Sequence, residues 1–454
     1  MAAQQTEPQH RGGHKGRPYV EPRQSNPPAL LFRDAEQVLT LAGPPVPRRG
    51  RDLADLGIVP GGSVLVAGAA IAAVGRARDL QAQARRLRAR VIDCRGRVLM
   101  PGFVDSHTHL VFAGSRVEDY ERRLAGASYE EIGRAGGGIA YTARLVAEAS
   151  PHALEAQARR FLKESAAHGT TTVEIKTGYG LEVENEIKLL RVIRALGREP
   201  GRQGPSSVGI VPTLLAAHAL PASYRNRRSE YIDAVIARLI PFAARGKMAE
   251  FIDCFCDRGA FSVDECRRLL AAGTAHGLLP RLHAEQLART GAARLGIETN
   301  AASVDHLDHL SAADIRALSR SSTVATLLPG VNLHLGLKDY APARELVDAG
   351  AAIALATDFN PGTSPTLNMQ FILSLACDAM RLSPAEAISA ATINAAYSLR
   401  RASAIGSLEP GKQADLMVMD VEDYRQIPYY VGWNHCGMTI RKGRIVYERG
   451  GDQG

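Results

Sequence analysis

From Val98 to about Leu399, short and nearly continuous apolar runs alternate with segments whose apolar residues recur every three or four positions. The short runs are VLMPGFVD, TTVEIK, VGIVPTLL, MAEFIDCF, LLPRLH, SVDH, TVATLL and AAIALATD. Runs this short with so few polar positions fit parallel strands buried on both faces. Amphipathic helix candidates lie between them. In HALEAQARRFLKESAAHG, Leu154, Ala158, Phe161 and Leu162 share one face, and Gly169 stands where a helix C-terminal cap belongs. Eight strand candidates alternating with helices predict an α/β fold, a (β/α)8 TIM barrel over residues 98–400.

The two ends of the chain read differently. LLFRDAEQVLTL, GSVLVAG, AIAAVG and RVIDC lie within residues 30–97, and ADLMVMD, MTIRKG and GRIVYERG within residues 401–454. These runs, separated by Gly and Pro, predict small antiparallel strands. Similar material at both termini predicts one small β-sandwich module assembled from the two ends. Residues 1–29 hold five prolines and almost no aliphatic residue, the composition of a disordered tail.

At 454 residues, 45% hydrophobic and 22% charged, the chain can bury a large core. Its longest apolar stretch, Val208 to Ala222, is broken by Pro212, His218 and Pro221, short of the ~18 apolar residues of a membrane span. The opening MAAQQTEPQH has no apolar core of the secretory kind, so a soluble, cytoplasmic protein is expected. Six cysteines without a CxxC pair suit a reducing compartment. Cys254 and Cys256, at alternate positions beside Phe251, Ile252 and Phe255, are expected as core fillers rather than soft-metal ligands. The net charge of +8 is spread along the chain, its densest cluster being Arg85, Arg86, Arg88 and Arg90, and no nucleic-acid motif accompanies it. A small molecule, not nucleic acid or membrane, is the expected partner.

A barrel of this kind carries its chemistry at the C-terminal ends of its strands. Here those ends read Asp105-Ser-His107-Thr-His109, Lys176-Thr-Gly-Tyr179, His218, His283, His306 and Asp358-Phe-Asn360. Five of the 13 histidines fall there. Residues two apart on a strand share a side, so His107 and His109 can reach one ion, and imidazole suits zinc or iron. An isolated pair of this spacing reads equally well as an ordinary surface or core pair; His283 and Asp358 at other strand ends favour the ligand reading. Lys176 is read as a charge partner of Glu174 rather than a bridging ligand. Arg116 follows the histidine loop and is suited to a carboxylate. Tyr179, in a Gly-flanked loop, offers a phenol, and the strand-end position of His306 favours a functional role. His276 and His309 are assigned none.

PGFVDSHTHLVFAGSR, TTVEIKTGYGL, TLLAAHALP, LHAEQL, VDHLDHL, ATDFNPGTSP and GSLEPGKQADL together resemble the amidohydrolase superfamily and, within it, the imidazolonepropionases of histidine degradation. The resemblance covers most of residues 30–450. It implies ring opening of 4-imidazolone-5-propanoate to N-formimidoyl-L-glutamate at one Zn2+ or Fe3+ ion per subunit of a homodimer. Carried over by position, the ligands would be His107, His109, His283 and Asp358. Arg116, Tyr179, His218, Gln286 and Thr363 would contact the substrate, and Asn360 and Gly362, with Tyr179, the product. His306 matches the second catalytic histidine. The implied mechanism has Asp358 and His306 taking a proton from water while His218 steadies the oxyanion. Some members carry Glu where this chain has Gln286; an amide orients a ring but takes no proton, so base work falls to His306 or Asp358. Another cyclic amidase or an aminoheterocycle deaminase is the alternative, against which the NPGTSP loop argues.

Overall fold

The structure, a computed structural model, describes residues 27–198 and 207–450. The expected tail lies outside the described residues as far as residue 26, as do residues 199–206.

Five strands open the chain: β1 (Leu30–Leu39), β2 (Ile58–Ala67), β3 (Ala70–Arg76), β4 (Arg90–Asp93) and β5 (Val98–Pro101). Eight follow: β6 (Phe103–Asp105), β7 (Thr170–Lys176), β8 (Gly209–Ala217), β9 (Phe251–Cys256), β10 (Leu279–Ala284), β11 (Ser303–His306), β12 (Val324–Leu327) and β13 (Ile353–Leu355). Three close it: β14 (Leu416–Met419), β15 (Cys436–Arg441) and β16 (Arg444–Glu448). Strands β6 to β13 lie side by side in sequence order, all parallel, with helices between them. This is the expected (β/α)8 barrel. The helix Pro151–Ala167 buries Leu154, Ala158 and Leu162 and is followed by Gly169 at φ +94°.

The remaining strands form one mixed sheet in the order β16-β15-β14-β5-β1-β2-β3, with β4 paired to β1. The module expected as a small sandwich is therefore one continuous hydrogen-bonded sheet drawn from both termini. Its two faces do different work, as strand alternation requires. Phe32, Val38, Val64, Leu99, Leu416 and Ile440 form the sheet's own core. Met100, Met417 and Met419 join the barrel's main core.

One strand reads differently in the structure. VLMPGFVD, expected as the first barrel strand, divides at Gly102: Val98–Pro101 pairs with β1 and β14, and only Phe103–Asp105 enters the barrel. A Cβ on Gly102 would lie 2.2 Å from Thr171 Cγ2. The chain can cross between the sheets there because it carries no side chain, and hydrophobic periodicity does not register such a crossing.

Between β13 and β6 no ladder forms, and side chain and loop close the seam. The Asp105 carboxylate accepts from the Thr357 N–H at 3.0 Å and from its hydroxyl at 2.6 Å. Just beyond, Asp358 N–H donates to the His107 carbonyl at 3.0 Å, and His109 N–H to that of Phe359 at 2.9 Å.

The interior is layered, as barrel interiors are. Val104, Val211, Phe251, Val324 and Ala354 pack on Ala395, Ala396 and Leu399 to plug one end. Above them Glu174, Lys176, Asp253, Arg281 and Asp305 form a buried ionic layer. The strand-end imidazoles stand above that. Cys254, Cys256 and Cys266 belong to the core outside the barrel, as small fillers.

Gly102→Ala should cost about 1–3 kcal/mol of stability through overpacking, read by denaturant or thermal unfolding. Adding Thr171→Ala should recover part of the loss. An unchanged midpoint in the single variant would show that the sheets have room to spare at this crossing.

Candidate active site

The strand ends converge on one cavity of about 320 Å³. Every site residue singled out in the sequence lines it except His107, which lies just beneath. His107 Nε2 is 3.3 Å and His109 Nε2 3.4 Å from Asp358 Oδ1, and His283 Nε2 is 3.3 Å from His109 Nε2. Donors about 2.1 Å from one tetrahedral ion would stand about 3.4 Å apart. Two of these buried atoms, His107 Nε2 and Asp358 Oδ1, have no hydrogen-bond partner among the described residues.

The rings are aimed from behind. His107 Nδ1 lies 2.7 Å from Asp305 Oδ2, and His283 Nδ1 lies 3.1 Å from Asp253 Oδ1. Carboxylates accept, so each Nδ1 carries the proton and each Nε2 turns its lone pair to the common point. Burial lowers His109 to about 4 against the pull of Asp358. Burial, with His109 and His283 as neighbours, holds His218 well below the ordinary imidazole value, and burial does the same for His306. For Asp358 burial favours the neutral acid, but the imidazoles of His107 and His109 beside it outweigh burial and hold it well below the usual carboxylate range. His107 moves up: burial and Lys176 oppose a charge there, and Asp305 and Asp358 overcome them. Positive charge is thus favoured where His107 Nε2 meets Asp358, and the donor set fits a metal cation.

Beneath lies the ionic layer, fully buried. Lys176 Nζ is 2.9 Å from Glu174 Oε1, 2.8 Å from Asp253 Oδ2 and 3.7 Å from Asp305 Oδ2. Arg281 Nη2 sits 3.2 Å from Asp305 Oδ2 and donates to the Ser106 carbonyl at 2.8 Å.

The substrate-facing side is built from loops. Arg116 Nε donates to Asp119 Oδ2 at 3.2 Å, and Asp119 also accepts from the Gly138 N–H at 2.9 Å. The guanidinium lies over Gly362, where a Cβ would fall 2.1 Å from Arg116 Cζ. Asn360 spends its side chain on its own turn, its Oδ1 accepting from the N–H groups of Gly362 and Thr363 at 2.8 Å each. Gln286 is positioned by its N–H, which donates to Asp257 Oδ2 at 2.7 Å. His306 and Asp358 both hold left-handed backbone, at φ +78° and +50°, a strain typical of functional positions. His218 Nδ1 lies 2.9 Å from the Gly178 carbonyl, so the neutral ring carries its proton there. Its Nε2 is then an acceptor, and the oxyanion-donating role expected for His218 does not match that tautomer.

Residues 98–446 match the model of the amidohydrolase family. An imidazolonepropionase from Geobacillus kaustophilus is 45% identical over 424 residues, 93% of this chain and 98% of that protein. One from Chloroflexus aggregans is 43% identical over 427 residues, covering 92% and 98%. The chain belongs to the imidazolonepropionases of the amidohydrolase family. Its fold is also that of an atrazine chlorohydrolase from Arthrobacter aurescens solved with zinc, at TM-score 0.64 and 17% identity over 92% of this chain and 95% of that one.

For a member of this family, sequence reasoning missed the supporting residues. Asp253, Arg281 and Asp305 received no role, although a charged residue two positions before His283 and one directly before His306 were visible signals. Asp119, Arg123, Ile132, Ile139 and Leu335 also line the cavity from loops and helices beyond the strand ends. Among the described residues no helix is long and apolar enough to cross a membrane.

Lys176→Met should strip the compensating charge from Asp253 and Glu174 and cost about 3–5 kcal/mol. Unfolding of purified protein checks this, with metal content measured alongside. A variant as stable as the parent would show that the layer carries its charge without Lys176.

Proposed function

We propose that this enzyme opens the ring of 4-imidazolone-5-propanoate to N-formimidoyl-L-glutamate, using His107, His109, His283 and Asp358 to hold one zinc or iron ion per subunit. One observation carries this reading: a single cavity has converging cation donors on one wall and the buried Arg116 guanidinium on another. That pairing suits a molecule with a hydrolysable ring carbonyl and a carboxylate tail. The names of relatives 40–45% identical to this chain support it. A cytoplasmic homodimer belongs to the same reading.

When bound, the ion lowers the pKa of water and polarises the ring carbonyl. The chain's own residues do the rest. Arg116 takes the propanoate carboxylate in its guanidinium fork, using binding remote from the reacting bond to orient the ring. Ile132, Ile139 and Leu335 give the methylenes an apolar wall. Tyr179, Gln286 and Thr363 border the ring, and Asn360 and Gly362 shape the loop beneath it. Asp358 and His306 accept the proton of the attacking water as its oxygen bonds to the carbonyl carbon. Among the described residues, buried His306 Nδ1 has no hydrogen-bond partner. The carbon–nitrogen bond then breaks, and the same pair returns the proton to the leaving ring nitrogen.

The direct test follows the ultraviolet band of the imidazolone with purified enzyme, before and after chelation and metal return. Metal-dependent loss of the band with N-formimidoyl-L-glutamate as product is expected, and elemental analysis distinguishes zinc from iron. A metal-loaded enzyme that leaves the compound untouched would redirect the search to other cyclic amides and amino-heterocycles. In a second test, His306→Ala should keep its metal and lose about 100-fold or more of kcat. Loss of metal in step with activity would make His306 a ligand instead.

A further inference from the structure

Behind the cavity, one buried carboxylate organises the loop that carries Tyr179. Glu186, in the first turns of the helix Val183–Leu196, is 0% exposed. Its Oε1 accepts from the N–H groups of Gly180 and Leu181 at 2.7 Å each, and its Oε2 from that of Gly178 at 3.1 Å. The Thr177 hydroxyl adds a further hydrogen bond. The loop is shaped to reach it: Gly178 lies at φ +106°, and a Cβ on Gly180 would fall 2.4 Å from Glu186 N.

The Gly178 carbonyl belongs to a peptide flanked by these anchored N–H groups, so its direction is set by Glu186. That carbonyl accepts from His218 Nδ1 at 2.9 Å. A carbonyl cannot donate, which places the proton on Nδ1. His218 stacks on His109 with ring centroids 5.1 Å apart and 21° between planes. An imidazole whose Nδ1 carries the proton presents Nε2 as an acceptor while the ring is neutral. His218 lines the cavity, and among the described residues its ring is hydrogen-bonded through Nδ1.

We propose that Glu186 is a positioning residue that locks His218 as the Nδ1–H tautomer, and that His218 Nε2 accepts a hydrogen bond from a ring N–H of the substrate. The site then demands a cyclic amide bearing that N–H and rejects its N-alkylated counterpart. A polar group built to pair with a substrate hydrogen discriminates strongly, because the analogue leaves it unpaired. This assignment rests on the hydrolytic reading above and adds a requirement to it.

The test compares 4-imidazolone-5-propanoate with its two ring-N-methyl derivatives, using metal-loaded wild type and Glu186→Gln. Burial pushes the Glu186 carboxyl up to about 7 against the hydrogen bonds that favour its charge, so assays near pH 8.5 keep it ionised. Wild type should disfavour one methyl derivative by about 100-fold or more in kcat/KM. Glu186→Gln should lose turnover of the parent compound selectively and narrow that ratio to below about tenfold. A purely steric penalty for the methyl group would not narrow. Equal loss on all three compounds would reduce Glu186 to support of the fold and overturn the proposal. Wild type that turns over both methyl derivatives as fast as the parent overturns the N–H requirement while the hydrolytic function stands. Wild type inert toward the parent removes both. Nitrogen-15 NMR of histidine-labelled wild type reads the tautomer without any variant at Glu186, the His218 signals being identified by their loss in His218→Gln. Protonated Nδ1 and bare Nε2 are expected; a proton on Nε2 overturns the proposal even where Glu186→Gln does not fold.

Discussion

The buried contact between Lys176 and the carboxylates of Glu174 and Asp253 sets the geometry on which the site depends. Three carboxylates, on Glu174, Asp253 and Asp305, face two cations, on Lys176 and Arg281, in a layer without solvent exposure. Burying five charges is costly unless each is paired and hydrogen-bonded. Here the pairing draws together β7, β9, β10 and β11, so their register cannot slip without stranding an ion. The layer also keeps one negative charge in excess, facing the imidazoles. Asp305 and Asp253 use their remaining capacity to fix His107 and His283, which makes the stability of the barrel and the aim of the proposed ligands one problem.

The seam between β13 and β6 couples them again. No ladder joins these strands, and the backbone bonds that close the gap come from His107, His109, Asp358 and Phe359. Three of those four are proposed ligands. The left-handed backbone at Asp358 is the cost of turning its carboxylate inward at that closure. A side chain that must both end a strand and face the axis has few backbone conformations open to it.

Much of this was legible in the chain. Buried parallel strands have few polar positions, so residues such as His283, His306 and Asp358 stood out at run ends. What stayed hidden depends on contacts distant in sequence. Asp253 and Arg281 sit inside strands, where a charge looks like an interruption until its partner is seen. Glu186 looks like an ordinary acidic residue near a helix start, because the three N–H groups it accepts belong to a loop whose conformation periodicity does not report. The division at Gly102 escaped for the same reason: VLMPGFVD is equally apolar on both sides of the crossing, and only Thr171 shows why the glycine is there. The direction of His218 is set by a single carbonyl, on Gly178.

An amide at position 286 suits the charges around it. The cavity already holds the Asp358 carboxylate, and Arg116 is paired with Asp119 at 3.2 Å. A second free carboxylate there would compete for Arg116 with the carboxylate it is proposed to bind, and repel it in a poorly solvated space. Gln286 lines the cavity without adding charge. The proposed proton acceptors are the groups at the strand ends, Asp358 kept ionised by its histidines and His306 kept neutral by burial. Both are held by their surroundings in the form that accepts a proton, which is what taking one from water near neutral pH requires. The amide thus fits the proposed division, in which Arg116 binds an anion and the strand-end groups move a proton.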